Sequence, residues 1–306
     1  MQTILGANGQ IGEELARELK SNYTSDIRIV SRKPQKVNDT DQVFAADLSN
    51  KENAIAAVRG SEIAYFTLGL PMNSEMWEKQ FPLILRNVIA ACKIHGTKLV
   101  FFDNTYMYPQ DDRILTENTP FEPVGRKGKV RQEMADMVLA EMQRGTLEAV
   151  ICRAPEFYGS GKTQSITNTL IFDAIEKGKK LKVPLCADKK RSLIWTPDAS
   201  KATALIGNTP DAFNQTWHLP VDASHLTYRE FITLASEIYG RKLKYRVIPK
   251  FVFKIGARFE EKLKELQELL PRYAHDTIFD DTKFRTRFPE FQTTTYREGM
   301  TLIKNK

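Results

Sequence analysis

The chain opens with a short apolar run, a glycine-rich turn and an amphipathic helix, in that order. Its first twelve residues are MQTILGANGQIG, in which Ile4 and Leu5 precede Gly6, Gly9 and Gly12. A strand, a glycine turn and a helix in this order form the phosphate-binding unit of dinucleotide-binding folds. The sequence therefore predicts that a dinucleotide binds at this turn, and an ordinary glycine-rich turn without a ligand is the alternative.

Each glycine of this turn has a physical reason. Gly6 allows the tight turn, Gly9 lets the backbone approach a diphosphate, and Gly12 permits close packing of the helix on the strand. The helix N-terminus then offers unpaired N–H groups and a partial positive charge to the pyrophosphate. The residues of this segment that we expect to contact the cofactor are Gly6, Asn8, Gly9, Gln10, Ile11 and Gly12.

The end of the second predicted strand distinguishes between the two nicotinamide cofactors. The strand at 27–30 is followed by Ser31, Arg32 and Lys33, where NAD-preferring sites usually place an acidic residue, about 20 residues past the glycines. Arg32 would attract a 2′-phosphate that a carboxylate repels, so we expect NADP(H) rather than NAD(H). A basic loop in solvent is the alternative.

A third strand leads into the segment Asp47-Leu48, which we also expect at the cofactor. Asp47 is placed to accept a hydrogen bond from the adenine amino group. A carboxylate at this position also suits the N-terminal cap of the following helix, so both interpretations stay open.

The composition fits one large α/β domain, alone or with a smaller lobe, because 42% of the 306 residues are hydrophobic and can bury a large core. No apolar run is long enough to span a bilayer and no cleavable leader pattern is present, so we expect a cytoplasmic protein without a membrane partner. Cys92, Cys152 and Cys186 are scattered. They suit reduced thiols without metal-ligand spacing, so no metal site is expected.

A formal net charge of +7 raises the question of nucleic-acid binding. Basic clusters occur at 177–182 and 189–191, but no nucleic-acid-binding module surrounds them. We expect no nucleic-acid partner and interpret the clusters as a solvated face, or as loops that attract an anionic substrate or the cofactor phosphates.

Apolar strands alternate with amphipathic helices through the first half of the chain, a pattern typical of a parallel sheet covered on both faces. We expect a nucleotide-binding domain over residues 1–165, its sheet completed by about 193–222. Residues 166–192 and 223–306 are predicted to form a smaller, mixed substrate-binding lobe, with a single charged helix over 250–270 that ends at Pro271.

Several further motifs follow the strands in the order of one known family. Asn104 to Tyr108 falls where that family has a Ser/Thr-bearing segment ending in Val-Tyr-Gly, Arg153 to Gly159 matches its Arg-x-x-x-x-Tyr-Gly segment, and Ser192 to Ala199 matches a strand–helix segment. With the glycine turn, these motifs make the chain resemble the extended short-chain dehydrogenase/reductases, the NAD-dependent epimerase/dehydratase family. The resemblance implies a Rossmann-like, doubly wound α/β fold with a smaller C-terminal substrate lobe.

The sequence differs from the family pattern at the catalytic residues. The family's active site is Tyr-x-x-x-Lys with a Ser or Thr, but here Gly125 stands in the place of the tyrosine and Lys129 in the place of the lysine. Asn104 falls at the Ser/Thr position. The resemblance implies that Lys129 binds the nicotinamide ribose. The candidate catalytic residues are Lys129, Tyr106, Tyr108, Asn104 and Thr105.

Three functions remain open from the sequence. The chain is predicted to be an atypical NADP(H)-dependent oxidoreductase or epimerase-like enzyme acting on a small carbonyl or alcohol, with Lys129 as the acid–base group. Its alternatives are a non-catalytic NADP-sensing regulator of the NmrA type and, last, a nucleic-acid-binding protein. Related proteins dimerise through the helices predicted here at 74–95 and 127–143, so a homodimer and a monomer both stay open.

Overall fold

Eleven strands are distributed along the whole chain. The computed structural model covers all 306 residues. The strands are β1 (Gln2–Leu5), β2 (Ile27–Ser31), β3 (Gln42–Ala45), β4 (Ile63–Phe66), β5 (Lys98–Asp103), β6 (Ala149–Arg153), β7 (Glu156–Tyr158), β8 (Leu181–Pro184), β9 (Leu193–Trp195), β10 (Thr216–His218) and β11 (Tyr245–Ile248).

Seven of these strands form a central parallel sheet in the order β10-β6-β5-β4-β1-β2-β3. The chain order changes direction at β1, which pairs with β2 on one side and with β4 on the other. Open α/β sheets bind ligands in the crevice that such a change of direction creates at the carboxyl ends of the strands. The predicted Rossmann-like parallel sheet is confirmed.

The helices cover both faces of this sheet. One face is covered by α1 and α6, which pack on each other, and the other by α2, α3 and α4. No helix is both long and apolar enough to cross a bilayer. The helices are α1 (Gln10–Asn22), α2 (Lys51–Val58), α3 (Ser74–His95), α4 (Arg126–Gln143), α5 (Asp173–Glu176), α6 (Thr196–Gly207), α7 (Tyr228–Ile238), α8 (Lys250–Gly256), α9 (Glu261–Leu266), α10 (Thr282–Arg287) and α11 (Tyr296–Lys304).

Helix α3 illustrates how local sequence sets the limits of an element. The Asn73 side chain accepts a hydrogen bond from the Met76 N–H at its start, and Gly96 ends it with φ at 63°. A side-chain oxygen satisfies one of the free N–H groups of the first turn, and a glycine adopts the left-handed conformation without a steric penalty. The helix therefore spans the residues predicted from the sequence.

The second half of the chain forms a lobe with its own aromatic core. The rings of Tyr158, Phe231 and Tyr296 lie 5.3–5.9 Å apart between centroids, and β8 pairs with β11 beside them. Strand β10 completes the central sheet, within the predicted range, whereas β9 pairs with β7 outside that sheet. That this lobe binds a substrate stays a prediction.

The prediction of a single helix over 250–270 is wrong. Helix α8 ends at Gly256, α9 covers Glu261–Leu266, and a 3₁₀ helix follows over Gln267–Ala274. A β-carbon on Gly256 would lie 2.6 Å from Leu263 Cδ1. The chain turns after Gly256 because α9 packs against this glycine, an arrangement that helical periodicity alone does not reveal.

Candidate functional site

A cleft of about 1060 Å³ lies along the carboxyl ends of β1 to β5. Its walls include the glycine turn after β1, the ends of β2 and β5, and the residues that follow β3 and β4. The cleft therefore occupies the point at which the sheet changes direction. Among the residues predicted to bind a cofactor or substrate, those that line it are Gly6, Asn8, Gly9, Gln10, Ile11, Ser31, Arg32, Asp47, Leu48 and Asn104.

The three glycines of the turn play different parts. Gly6 has φ at 94°, and a β-carbon there would lie 2.5 Å from the Leu68 Cα. A β-carbon on Gly12 would lie 2.5 Å from the Ala7 Cα, whereas one on Gly9 would meet only the Gly6 carbonyl oxygen at 3.4 Å. Gly6 and Gly12 are thus required by backbone packing, and Gly9 keeps the wall of the cleft free of a side chain.

The N-terminus of α1 is available to a ligand. Gly9 precedes the helix, and no side chain caps it. The first N–H groups of an α-helix have no partner within the helix, so those of Gln10, Ile11 and Gly12 are free to donate. Such donors, with the positive end of the helix dipole, bind phosphate groups.

Asn8 connects the glycine turn to the loop after β2. Its Oδ1 accepts hydrogen bonds from Ser31 Oγ at 3.1 Å and from the Gln35 N–H at 3.2 Å, and its Nδ2 donates to the Gln35 carbonyl at 3.0 Å. These bonds hold the loop so that Arg32 lines the cleft. Lys33 is exposed outside the lining.

Asp47 lines the same part of the cleft and is exposed. Its Oδ1 accepts hydrogen bonds from the Ser49 N–H at 3.0 Å and Ser49 Oγ at 2.7 Å. These bonds, followed by the positive charge of Arg32, lower the pKa of Asp47. The interpretation of Asp47 as a helix cap is wrong, because Asn50 caps α2 by accepting from the Asn53 N–H.

The β5 end of the cleft combines aromatic and polar side chains, which are those of Phe81, Phe102, Asp103, Asn104 and Arg131. Arg131 Nε donates to Asp103 Oδ1 at 3.0 Å, and its Nη2 also bonds that oxygen. The guanidinium lies 5.5 Å from the centroid of Phe81. Asp103 is additionally held by Arg153 Nε at 3.1 Å, so a buried carboxylate fixes the orientation of the arginine.

Lys129 does not face the cleft, which corrects the sequence-based expectation. It is exposed on α4, whereas Arg131 lines the cleft. The buried residues of the helix recur at three- and four-residue intervals, which leaves position 129 on the solvent side. These buried positions are Lys127, Gly128, Val130, Arg131, Met134, Ala135 and Val138.

The two candidate tyrosines also lie away from the cleft. Trp77 lines it, and the ring of Tyr106 stacks on Trp77 with centroids 6.1 Å apart. Burial raises the pKa of Tyr106 and, against the opposing charge of Arg153, that of Tyr108. Neither tyrosine lines the cleft in which a ligand would bind.

The remaining contacts show what these residues do instead. The buried Tyr108 hydroxyl lies 2.8 Å from His218 Nε2 and accepts from Arg153 Nη1 at 2.6 Å. Thr105 is buried, and its Oγ1 accepts from Arg272 Nη2 at 2.7 Å. Tyr108 therefore joins β6 and β10 within the central sheet, and Thr105 connects this sheet to the C-terminal lobe. Only Asn104 of the five candidate catalytic residues lines the cleft.

A buried ionic cluster occupies the start of α4, where Lys127 is fully enclosed. Its Nζ donates to Ser74 Oγ at 2.8 Å and to Glu268 Oε1 at 2.9 Å, and it also bonds Glu265 Oε2. Burial opposes ionisation of Glu265, but the bonds from Lys127 and Ser74 outweigh it and lower the pKa to about 2. The cluster joins α3 and α4 to the C-terminal lobe.

Glu268 also determines which residue can precede α4. Gly125 has φ at 90°, and a β-carbon there would lie 2.7 Å from Glu268 Cβ. Glu268 Oε2 accepts a hydrogen bond from the Arg126 N–H at 2.6 Å, so this carboxylate covers the N-terminus of the helix. A larger side chain at position 125 would displace Glu268.

Several cleft residues were missed from the sequence. Arg131 was detectable, because it follows Lys127 by four residues and shares the buried helical face with Met134. Lys162 and Gln164 had no local signal. They line the cleft because Lys162 Nζ pairs with Glu13 Oε2 at 2.5 Å and the Gln164 N–H donates to Gln10 Oε1 at 2.6 Å.

A parallel Rossmann-like sheet with a glycine turn and a ligand-sized cleft at its switch point defines a nucleotide-binding α/β protein. The model of the NAD dependent epimerase/dehydratase family matches residues 3–219, so the chain belongs to that family. The uncharacterized protein y4nL of Sinorhizobium fredii is 26% identical over 198 residues, which cover 58% of this chain and 55% of that protein. The match thus spans little more than half of that relative's length.

Three solved structures share the fold over nearly the whole chain. UDP-glucuronic acid 4-epimerase from Bacillus cereus in complex with NAD has a TM-score of 0.80 at 14% identity, covering 100% of this chain and 96% of that one. DesIV, a dTDP-glucose 4,6-dehydratase from Streptomyces venezuelae with NAD and TYD bound, has a TM-score of 0.78 at 14% identity, covering 99% of this chain and 96% of that one. UDP-N-acetylglucosamine 4-epimerase from Bacillus cereus has a TM-score of 0.77 at 15% identity, covering 99% of this chain and 97% of that one.

Proposed function

We propose that the protein is an NAD(P)-dependent oxidoreductase or epimerase-like enzyme that acts on a small carbonyl or alcohol compound. The observation that carries this proposal is the single continuous cleft, which joins the glycine turn and free helix N-terminus at one end to Asn104 and Arg131 at the other. Family membership and the NAD bound in structures of the same fold support it. Sugar nucleotides are the first substrate class to test.

The residues of the cleft fit a nicotinamide dinucleotide. The free N–H groups at the start of α1 would bind the diphosphate, which Gly9 allows to approach the backbone. Arg32 and Asp47 would contact the adenosine part of the dinucleotide. The cofactor supplies hydride exchange, a reaction that no protein side chain performs.

Asn104 and Arg131 are the groups that we propose act on the substrate oxygen. The Tyr106 N–H donates to Asn104 Oδ1 at 3.0 Å, which leaves the amide Nδ2 to donate elsewhere. Arg131 always carries its charge, so it stabilises negative charge but transfers no proton. Together they would stabilise the alkoxide that forms when hydride is transferred to a carbonyl carbon. Water in the open cleft would supply the proton to this oxygen, since neither side chain can and the family's tyrosine is not present.

Preference for NADP(H) is proposed from Arg32. Replacing Arg32 with Asp is expected to weaken NADPH binding by about 10- to 100-fold, because a charge-assisted bond to the 2′-phosphate is replaced by repulsion. Fluorescence titration with NADPH and NADH measures both constants. Lys33→Asp makes the same charge change outside the cleft lining and should have a much smaller effect. Tighter binding of NADH than of NADPH by the unmodified protein would contradict this assignment.

Turnover tests the proposed chemistry. Asn104→Ala is expected to lower the turnover number by about 100-fold or more, as for the loss of one oxyanion donor, while dinucleotide affinity changes little. Activity on simple carbonyl compounds would be followed at the reduced-nicotinamide absorbance. Activity on sugar nucleotides would also be followed by chromatography of the products, because epimerisation regenerates the cofactor and causes no net change in absorbance. Lys129→Met is the control and should retain activity, since Lys129 is exposed. Loss of activity in Lys129→Met but not in Asn104→Ala would reverse the assignment.

A non-catalytic NADP-sensing regulator of the NmrA type is the second candidate. Two observations favour it. No tyrosine lines the cleft, and Glu268 fills the space beside Gly125, the position at which the family has its catalytic tyrosine. Dinucleotide binding without turnover of any compound in the panel would support the sensor over the enzyme. Dimer formation through α3 and α4 stays a prediction.

A further inference from the structure

An exposed apolar ridge runs along α8 and the turn that follows it. We call the four residues Phe251, Val252, Ile255 and Phe259 the α8 ridge. Their exposed fractions are 62%, 42%, 52% and 86%. Apolar side chains exposed singly are ordinary, but a contiguous apolar patch marks an interaction surface.

The ridge spans α8 and the turn that follows it. Phe251 and Ile255 are four residues apart on α8, so they lie on one face of the helix, and Phe259 follows in the turn. The turn is held by backbone hydrogen bonds, because the Arg258 N–H donates to the Ile255 carbonyl at 3.1 Å and the Phe259 N–H to that of Gly256 at 3.0 Å. Phe253 is buried and anchors the helix to the lobe, so the ridge faces away from the core.

A row of positive charges accompanies the ridge. Lys250, Lys254 and Arg258 are also four residues apart, one position before each residue of the apolar row. They are exposed and form no ion pair, whereas Lys264 pairs with Glu261 at 3.4 Å. Basic and apolar residues therefore lie next to each other along the same exposed segment.

The net charge of the protein is concentrated in this segment. Residues 241–264 contain nine lysines and arginines and two glutamates, a net charge of +7, and the whole chain has 45 basic and 38 acidic residues, also +7. The rest of the chain is therefore electrically balanced. Strand β11 extends the positive surface, since the exposed Arg246 lies opposite the exposed Lys182 of β8.

We propose that the α8 ridge binds the surface of an anionic phospholipid membrane. A short helix with exposed aromatic and aliphatic side chains beside lysines and arginines places its apolar face among the lipid headgroups, and its cations contact lipid phosphates and carboxylates. This attachment is peripheral and requires no membrane-spanning helix. It goes beyond the proposed function and revises the sequence-based expectation that no membrane is involved.

Other partners fit these residues less well. In a symmetric contact between two copies of the ridge, each row of cations would face the same charges of its partner. Proteins that bind single-stranded nucleic acid combine cations with aromatic platforms in a groove, whereas this surface is a helix ridge that also exposes Val252 and Ile255.

Vesicle co-sedimentation tests the proposal. The full chain is expected to bind vesicles of phosphatidylcholine mixed with phosphatidylserine at least about 10-fold more tightly than vesicles of phosphatidylcholine alone. Binding should weaken between about 0.05 M and about 0.5 M NaCl, because salt screens the contribution of the cations. Equal binding to both vesicle types, or no binding to either, would overturn the proposal.

Two pairs of substitutions separate the ridge from general surface effects. Phe251→Asp with Phe259→Asp is expected to abolish vesicle binding. Ile94→Asp with Ile114→Asp is the matched control, since these residues are 58% and 60% exposed elsewhere on the molecule, and it should bind as the unmodified protein does. Both variants should keep the melting temperature and dinucleotide affinity of the unmodified protein, because the ridge lies outside the cleft lining.

The remaining outcomes identify another partner. A concentration-dependent dimer that disappears in Phe251→Asp with Phe259→Asp would assign the ridge to a second copy of the chain and overturn the membrane proposal. Tighter binding to a single-stranded oligonucleotide than to anionic vesicles would overturn it as well. An equal loss of vesicle binding in the Ile94 and Ile114 control would show that the ridge has no specific role.

Discussion

Replacing Lys127 with Met is expected to lower the free energy of unfolding by about 3–5 kcal/mol, as when one partner of a buried ion pair is removed. The substitution deprives Glu265 and Glu268 of an ammonium group that lies 2.9 Å from Glu268 Oε1. The buried carboxylate of Glu265 and the half-buried one of Glu268 then lack their cation, and methionine supplies no hydrogen bond to replace it. Urea denaturation followed by circular dichroism measures the loss.

Lys129→Met is the matched control, because it makes the same chemical change two residues further along α4. Lys129 is exposed, and surface substitutions of this kind usually change the free energy of unfolding by less than about 0.5 kcal/mol. Similar losses in both variants would contradict the placement of Lys127 in the buried cluster.

The decrease in the free energy of unfolding caused by Lys127→Met should depend on pH. The folded-state pKa of Glu265 is about 2, below its ordinary value of 4.5. A carboxyl group whose pKa is lowered by folding stabilises the folded protein at pH values above its unfolded-state pKa. That stabilisation is lost as the pH falls through its folded-state pKa. The stability difference between the unmodified protein and Lys127→Met should therefore be largest above about pH 4.5 and shrink as pH falls toward 2. A difference that grows on acidification would rule out this origin.

Replacing Gly9 with Trp is expected to weaken dinucleotide binding by more than about 100-fold, through loss of the diphosphate contacts. Gly9 lines the cleft, and its β-carbon would meet only the Gly6 carbonyl oxygen at 3.4 Å. The fold should therefore accept the indole while the approach to the backbone is filled. Titration with NADPH and NADH measures the binding, and the melting temperature without ligand should stay close to that of the unmodified protein.

Gly12→Val is the comparison for the same turn. Its β-carbon would lie 2.5 Å from the Ala7 Cα, so overpacking should lower the free energy of unfolding by about 1–3 kcal/mol or more. The two substitutions thus separate ligand binding from folding. Undiminished dinucleotide binding by Gly9→Trp would show that the ligand does not cross the glycine turn.

Much of the fold was predictable because its signals are local. The strand–glycine–helix unit at Gly6 depends on backbone conformation and hydrophobic periodicity within a dozen residues. The end of α3 at Gly96 requires only a residue that adopts a φ of 63° without strain. The alternation of apolar strands with helices predicted a parallel sheet, since strands buried on both faces are apolar throughout.

The candidate site was predictable only in part. The residues around the glycine turn and Arg32 were identified because they follow strands, and the carboxyl ends of parallel strands meet at one edge of the sheet. The spacing from Gly125 predicts Lys129, whereas the helical phase of Val130 and Met134 places Lys129 outward. The same phase places Arg131 on the buried face, so helical phase rather than the family spacing indicates the residue that lines the cleft.

The sequence by itself determined the sheet, the glycine turn and the charge balance, because these follow from the order of residues along the chain and from backbone conformation. Tertiary packing alone decided that Trp77 separates Tyr106 from the cleft and that Glu268 covers the N-terminus of α4 beside Gly125. It also decided that Lys162 lines the cleft. These contacts join residues from tens to more than a hundred positions apart, and no local periodicity specifies which distant side chain fills a given space.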